Sequence, residues 1–156
     1  MKYKYLLTLV IFLIGWFSYS NFASNSFEIP FGLNSTELAS PNNHIKEDQI
    51  RIYKDRIVIE LDKPYWSKFA NTNSMDPLID ENSNGIEIKP ISEDQIIAGD
   101  IISYKYNNSL IIHRVMEVGQ DPKGWYAITK GDNNTFTDQE KVRFNQVEGI
   151  LIGILY

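Results

Sequence analysis

The sequence predicts a mainly β, antiparallel domain carried behind a short apolar segment that belongs in or near a bilayer. Three observations carry this reading. From about residue 48 onward, apolar and polar residues alternate in short runs; those runs are separated by stretches rich in Asn, Asp, Gly and Pro; and residues 5–19 hold no charged side chain. A length of 156 residues allows one compact domain and an appendage. With 43% apolar and 22% charged residues, a wholly disordered or collagen-like chain is excluded and a real core can form. Several antiparallel strands in so short a chain imply a small sandwich or a partly open barrel.

Residues 1–19 are read as an N-terminal membrane anchor, a transmembrane helix. Tyr5 to Tyr19 reads YLLTLVIFLIGWFSY behind Lys2 and Lys4. At 1.5 Å per residue this run spans roughly 22 Å, against a hydrocarbon core of roughly 30 Å, so it crosses without tilt and with help from Lys4 snorkelling. A cleaved signal peptide is the rival reading, but the small-x-small cleavage pattern is missing around Asn21 to Asn25. Either way the bulk of the chain is delivered outside the cytoplasm, because the basic start keeps the N-terminus inside. The expected location is the cell membrane, single-pass, with the domain extracytoplasmic.

Residues 20–47 shift to Asn, Ser and Pro with scattered aromatics, which suits a flexible stalk. Residues 48–156 form the β-rich domain. QIRIY and RIVIEL flank Lys54-Asp55 as the strands of a hairpin with a tight turn. GIEIKP, DIISYKY, LIIHRVMEV, GWYAITK and VEGILIGILY are the further strands. Helix has few openings, one turn around Tyr65 to Ala70 being the main one. The stretch from Asp80 to Gly99 is read as a surface loop in preference to a specificity insertion. The closing ILIGILY is too short to cross a membrane and reads as a buried strand. Sequons at Asn34, Asn107 and Asn133 carry little weight in so Asn-rich a chain.

Charge and composition exclude several functions. The net charge is −5, and no basic run is present, so a nucleic-acid partner is not expected. There is no cysteine, hence no disulfide framework, thiolate nucleophile or Cys-based zinc site. The two histidines, His44 and His113, lack partners at metal-ligand spacing, so no metal is expected.

Three polar positions stand out: Ser74 in NTNSMDP, His113 in LIIHRV, and the acids of KGDNNTFTD. Each alone is ordinary. A serine ahead of a turn proline is usually a turn residue, a strand histidine is usually a hydrogen-bonded core residue, and Asp132 after Gly131 suits an Asx turn. Together they supply the parts of a serine hydrolase. A serine hydroxyl needs a base that titrates near neutrality, and His113 is the realistic one. A carboxylate must then orient the imidazole, and Asp132 and Asp138 both qualify on chemistry alone.

These residues resemble the type I signal peptidase family, in the Ser-His-Asp branch of archaea and the endoplasmic reticulum. TNSMDP is similar to the Ser-Met-x-Pro nucleophile box, GDIISY with IIHRV to the second box, and TKGDNN with a further acid to the third. The bacterial branch has a lysine base where IIHRV has His113. The match covers roughly Tyr65 to Gly149. The resemblance implies a signal-peptidase-like β domain with Ser74 as nucleophile and His113 as general base. It implies Asp138, six positions beyond Asp132, as the triad acid, with Asp132 a supporting acid. It further implies an oxyanion hole from the Ser74 backbone N–H and the Thr72 hydroxyl, and Met75 lining the substrate groove. Asn73 stands where many relatives carry glycine, and asparagine tolerates unusual backbone angles.

The implied activity is a membrane-anchored serine endopeptidase, a hydrolase that processes signal peptides of exported preproteins without a cofactor. Its implied partners are preprotein signal peptides, laid extended along a β edge, and the lipid membrane; the need for accessory membrane subunits is left open. A different class of protein fits the same chain: a non-catalytic, membrane-tethered β domain that binds extended peptides or partner proteins. A self-cleaving serine-lysine regulator would need Lys105 or Lys130 as base, and neither sits at the IIHRV position.

Overall fold

The structure is a computed structural model that describes Leu13 and residues 38–156. The anchor expected at residues 1–19, Leu13 apart, and the stalk up to residue 37 lie outside the described residues, as does Asn34. Among the described residues no helix is long and apolar enough to cross a membrane. Residues 38–156 form one compact unit.

The domain is mainly β, and every strand pair is antiparallel. β1 (Ile50–Ile52) and β2 (Ile57–Ile59) form a separate two-stranded ribbon around the Lys54-Asp55 turn, as the alternation predicts. The remaining strands are β3 (Tyr65–Lys68), β4 (Asn84–Ile88), β5 (Ile101–Tyr106), β6 (Ser109–Asp121), β7 (Gly124–Lys130), β8 (Val142–Arg143) and β9 (Val147–Leu155). They make one seven-stranded sheet in the order β3-β4-β9-β5-β6-β7-β8. It is a single sheet rather than a sandwich of two. The closing strand β9 lies inside it, between β4 and β5; it is buried from Gly149 to Leu151, as expected, but its end is not, with Leu155 and the following Tyr156 exposed.

Three register shifts, at Ile86/Glu87, Ser103/Tyr104 and Val115/Glu117, interrupt the ladders. Such bulges bend strands and strengthen their twist. Adjacent residues on β5 and β9 feed opposite faces, as strand alternation requires. Ile102 and Ile150 join Ile96, Tyr104, Val115, Trp125, Ala127, Val142 and Val147 in one core, whereas Ile101 and Leu151 join Met75 and Ile79 in another. The second core matters for the site, since Met75 is its link to the loop carrying Ser74.

Two expectations change. Tyr65 to Lys68 is a strand, not a helical turn, because it finds a complete antiparallel partner in β4 from Tyr65↔Glu87 to Lys68↔Asn84. The stretch from Asp80 to Gly99 is not a plain loop. Besides β4, which falls on the expected GIEIKP strand, it contains a 3-10 turn at Glu93–Gln95, and it delivers Ile96 to the core. That turn belongs to a local device used three times: Gln49, Gln95 and Gln146 each accept, through Oε1, the backbone N–H three residues earlier. In each, the glutamine amide satisfies a donor that the short helix leaves unpaired.

The supposed stalk is tied down at its end. The Asn42 N–H donates to Oδ1 of Asp100 at 2.8 Å, and His44 Nε2 lies 3.0 Å from the same oxygen. Asp100 is fully buried, and its other oxygen accepts from the Ile97 N–H at 2.9 Å. At the far edge, Arg143 of β8 forks onto Asp121 at the β6–β7 turn with 2.8 and 2.9 Å bonds. Hydrogen bonds from Arg143 and Lys141 hold the Asp121 carboxyl well below its ordinary value.

Glu87 of β4 is buried, accepting from the hydroxyls of Tyr65 and Ser103. Gly149 lets β9 pass this group, since a Cβ there would strike the Tyr65 hydroxyl and the Glu87 carboxylate. Gly149→Ala is therefore expected to destabilise the domain by about 1–3 kcal/mol, the usual cost of overpacking. A shift of the urea midpoint measures it, and an unchanged midpoint would contradict the packing described.

Candidate active site

Ser74 sits in a turn between β3 and β4. Asn73 before it has φ 57, in the left-handed region that asparagine tolerates and most side chains avoid. The turn is held by the Leu78 and Ile79 N–H groups, both donating to the Met75 carbonyl at 3.0 Å. None of the turn's backbone hydrogen bonds, among the described residues, uses the Ser74 N–H. The Ser74 and Thr72 hydroxyls are 3.2 Å apart.

The loop after β7 clamps this turn from the other side. The Asn133 N–H donates to the Ser74 carbonyl at 3.0 Å, and the Asn133 side-chain amide donates to the Asn73 carbonyl at 2.9 Å. The Asp132 N–H points to the Met75 sulfur at 3.4 Å. Gly131 makes the approach possible, because a Cβ on it would collide with the Ser74 carbonyl oxygen.

His113 stands on β6, opposite Ile102 of β5, with its side chain almost wholly buried. Its Nδ1 is 2.7 Å from Oδ2 of Asp138. The same oxygen accepts from the Thr129 hydroxyl at 2.6 Å and the Tyr104 hydroxyl at 2.9 Å. The Asp138 N–H in turn donates to the Thr129 carbonyl at 2.8 Å, fixing the loop that carries it. Burial pushes the Asp138 carboxyl up, but the bonds from His113, Thr129 and Tyr104 outweigh it and hold its pKa below the ordinary carboxylate value. Burial drives the Tyr104 hydroxyl far above its own ordinary value, so it stays a donor. With an ionised carboxylate at Nδ1, the neutral ring carries its proton there and turns the lone pair of Nε2 outward.

The two candidate acids thus do different things. Asp132 receives a bidentate fork from Arg114, 2.8 Å from Nε and 2.7 Å from Nη2, with both side chains largely buried. Arg114 also donates to the Gly99 carbonyl at 2.8 Å. This pair ties the Ser74-clamping loop to β6 and leaves His113 to Asp138.

Ser74 and His113 line the same cavity, of about 260 Å³, together with Phe69, Ala70, Thr72, Met75, Ile79, Leu110, Ile111 and Ile112. No lysine lines it. Lys105 pairs with Glu148 at 2.9 Å, on the wall of a different cavity. Met75 is part of the cavity lining and is buried against Ile79, Ile101 and Leu151. No Ser74–His113 hydrogen bond is formed in this structure. Alongside, β7 ends at Lys130 opposite Arg114, so among the described residues Ser109–His113 of β6 have a backbone partner only in β5. No described residue pairs with their other edge, beside the cavity.

Tyr104, Thr129 and Arg114 are parts of this arrangement that the sequence reading did not single out. The available signal was a polar residue at an inward position: Thr129 alternates with the buried Ala127 and Trp125 and is itself buried. Among the described residues, no group of three or more His, Cys, Asp or Glu side chains converges as a metal site would require.

Removing Asp132 leaves the Arg114 guanidinium buried and unpaired, so Asp132→Ala is expected to cost about 3–5 kcal/mol of stability. Asp138→Asn keeps a similar shape and is expected to disturb stability far less. Denaturation of both variants checks the division, and equal losses would contradict it. The chain matches no protein-family model, and no curated protein is similar enough to it to count as a match.

Proposed function

We propose that this chain is a membrane-anchored serine endopeptidase of the signal-peptidase kind, removing signal peptides from exported preproteins outside the cytoplasm. The observation that carries the reading is the 2.7 Å His113–Asp138 bond on a histidine that shares its cavity with Ser74. In this reading an extended precursor adds to the open edge of β6 along Leu110–His113 and brings its scissile carbonyl to Ser74. Shallow apolar walls from Phe69, Ile79 and Ile112 suit small side chains before the cut.

His113 Nε2 takes the hydroxyl proton as Ser74 Oγ attacks the carbonyl carbon, giving a tetrahedral intermediate with negative charge on oxygen. The Ser74 N–H and the Thr72 hydroxyl stabilise that oxyanion; one such donor typically contributes about 3 kcal/mol. His113 then protonates the leaving amine, the C–N bond breaks, and water with His113 as base hydrolyses the acyl-enzyme. Asp138 holds the imidazole tautomer and stabilises its protonated form. Serine-to-histidine hydrogen bonds are often long before substrate arrives and tighten in the complex.

A membrane-tethered β domain that only binds extended peptides or partner proteins is the second reading, favoured by the missing Ser74–His113 bond. Cleavage of a signal-peptide-bearing precursor in lipid separates the two. The natural chain is expected to cut and Ser74→Ala and His113→Ala to lose at least about 1,000-fold; Asp138→Asn is expected to be far more damaging than Asp132→Asn. Equal cleavage by Ser74→Ala would overturn the peptidase reading.

The pH profile gives an independent check. Asp138 stays ionised through the range in which an imidazole titrates, since its pKa lies below the ordinary value. The rate is therefore expected to fall on acidification through a single limb, as protonated His113 can no longer accept from Ser74. A rate indifferent to pH between about 5 and 8 would contradict a histidine base.

A further inference from the structure

Asp100, fully buried just ahead of β5, takes its partners mainly from the segment that the sequence assigns to the stalk. A buried carboxylate is costly unless donors meet it. Among the described residues three do: the Ile97 N–H donates to Oδ2, while the Asn42 N–H and His44 Nε2 both meet Oδ1. The His44 side chain is itself largely buried. A Cβ on Gly99 would strike the Ser40 carbonyl oxygen, so the backbone of residues 39–40 lies directly on the Gly99-Asp100 dipeptide. The end of the stalk is thus a strap across the start of β5.

The other side of the same dipeptide faces the parts that hold Ser74. The Asp100 carbonyl accepts from the Val115 N–H at 2.7 Å, and the Gly99 carbonyl accepts from Arg114 Nη1 at 2.8 Å. Arg114 in turn forks onto Asp132, whose neighbour Asn133 donates to the Ser74 carbonyl. Hydrogen bonds therefore run without a break from His44 to the turn that carries the serine. Close packing contributes little to this path: a cavity of about 440 Å³ lies between residues 41–45 and β9, with His44 and Arg114 both on its wall.

We propose that His44 is a positioning residue for Ser74. Its bond to Asp100 holds the Gly99 carbonyl where Arg114 meets it, and so holds the Asp132-Asn133 loop on the serine's turn. Without the imidazole, Oδ1 of Asp100 keeps only the Asn42 N–H, the strap loosens, and the underpaired carboxylate draws the dipeptide away from β6. Docking of the segment that enters the domain is thereby a condition for an aligned nucleophile. The catalytic consequence rests on the peptidase reading; the coupling of the strap to the Ser74 turn does not.

Three variants of the full chain in lipid test this. In His44→Gln an amide N–H stands near the reach of Nε2, in His44→Asn it ends short of Asp100, and His44→Ala removes the group. Hydrogen exchange is followed over residues 131–135 and, as a control for folding, over β5 and β7; the rate of Ser74 capture by a fluorophosphonate is taken per folded molecule. His44→Ala and His44→Asn are expected to speed exchange in residues 131–135 several-fold while the core strands stay protected. They are expected to slow capture on the order of 10–100-fold, the cost of a displaced reacting group, and His44→Gln to restore both. If His44→Ala does not fold, the Gln and Asn variants carry the comparison. Unchanged exchange in residues 131–135 would overturn the proposal, as would a Gln variant no better than Asn. Protection lost equally over the core strands, with full capture by each folded molecule, would also overturn it and leave His44 a stability contact only. A natural chain whose Ser74 captures no reagent would count against the peptidase reading, while the exchange data still decide the coupling.

Discussion

The arrangement around the candidate site depends on one carboxylate oxygen. Oδ2 of Asp138 accepts from Tyr104 on β5, His113 on β6 and Thr129 on β7, joining three neighbouring strands at one point. Three donors converging on one oxygen stabilise the charged form of the acid, and a partly buried carboxylate without them would be costly. The strands therefore favour the ionised acid, and the ionised acid fixes the imidazole. The same geometry that satisfies a partly buried charge also sets which ring nitrogen faces the cavity.

A second set of contacts positions the serine without touching the histidine. Gly131 allows the loop after β7 to meet the Ser74 carbonyl, Asn133 bridges to Asn73 and Ser74, and the Asp132–Arg114 pair fastens that loop to β6. Arg114 and His113 are consecutive, so β6 presents one of the pair to each acid. The neighbouring side chains of a strand point to opposite sides, which lets Asp132 and Asp138 be close in sequence yet separate in task.

Most strands were legible because their alternation is local. β1, β2, β4, β5, β6, β7 and β9 all fall on runs that read as strands. β3 was not, since YWSKFA carries closely spaced aromatics with no clean alternation, and its strand character comes from β4 some 20 residues on. β8 is two residues long and has no pattern to read. His44 was assigned to a loose stalk because its partner, Asp100, lies 56 positions away. For the site, chemistry alone left Asp132 and Asp138 open, and only the resemblance to the signal peptidase family separated them. The structure pairs His113 with Asp138 and Arg114 with Asp132, a distinction that rests on three-dimensional proximity. Tyr104 and Thr129 were invisible for the same reason: a polar residue in a strand does not reveal its acceptor.

The central claim is that His113 and Asp138 activate Ser74. Covalent capture by a fluorophosphonate, read by peptide mass spectrometry on the full chain in lipid, tests it most directly, because the reagent reacts with serines whose proton a neighbouring base removes. An adduct confined to the Ser74 peptide, absent after His113→Ala and slowed by Asp138→Asn, is the expected result. An unmodified Ser74 in a folded chain, or modification indifferent to His113, would contradict it.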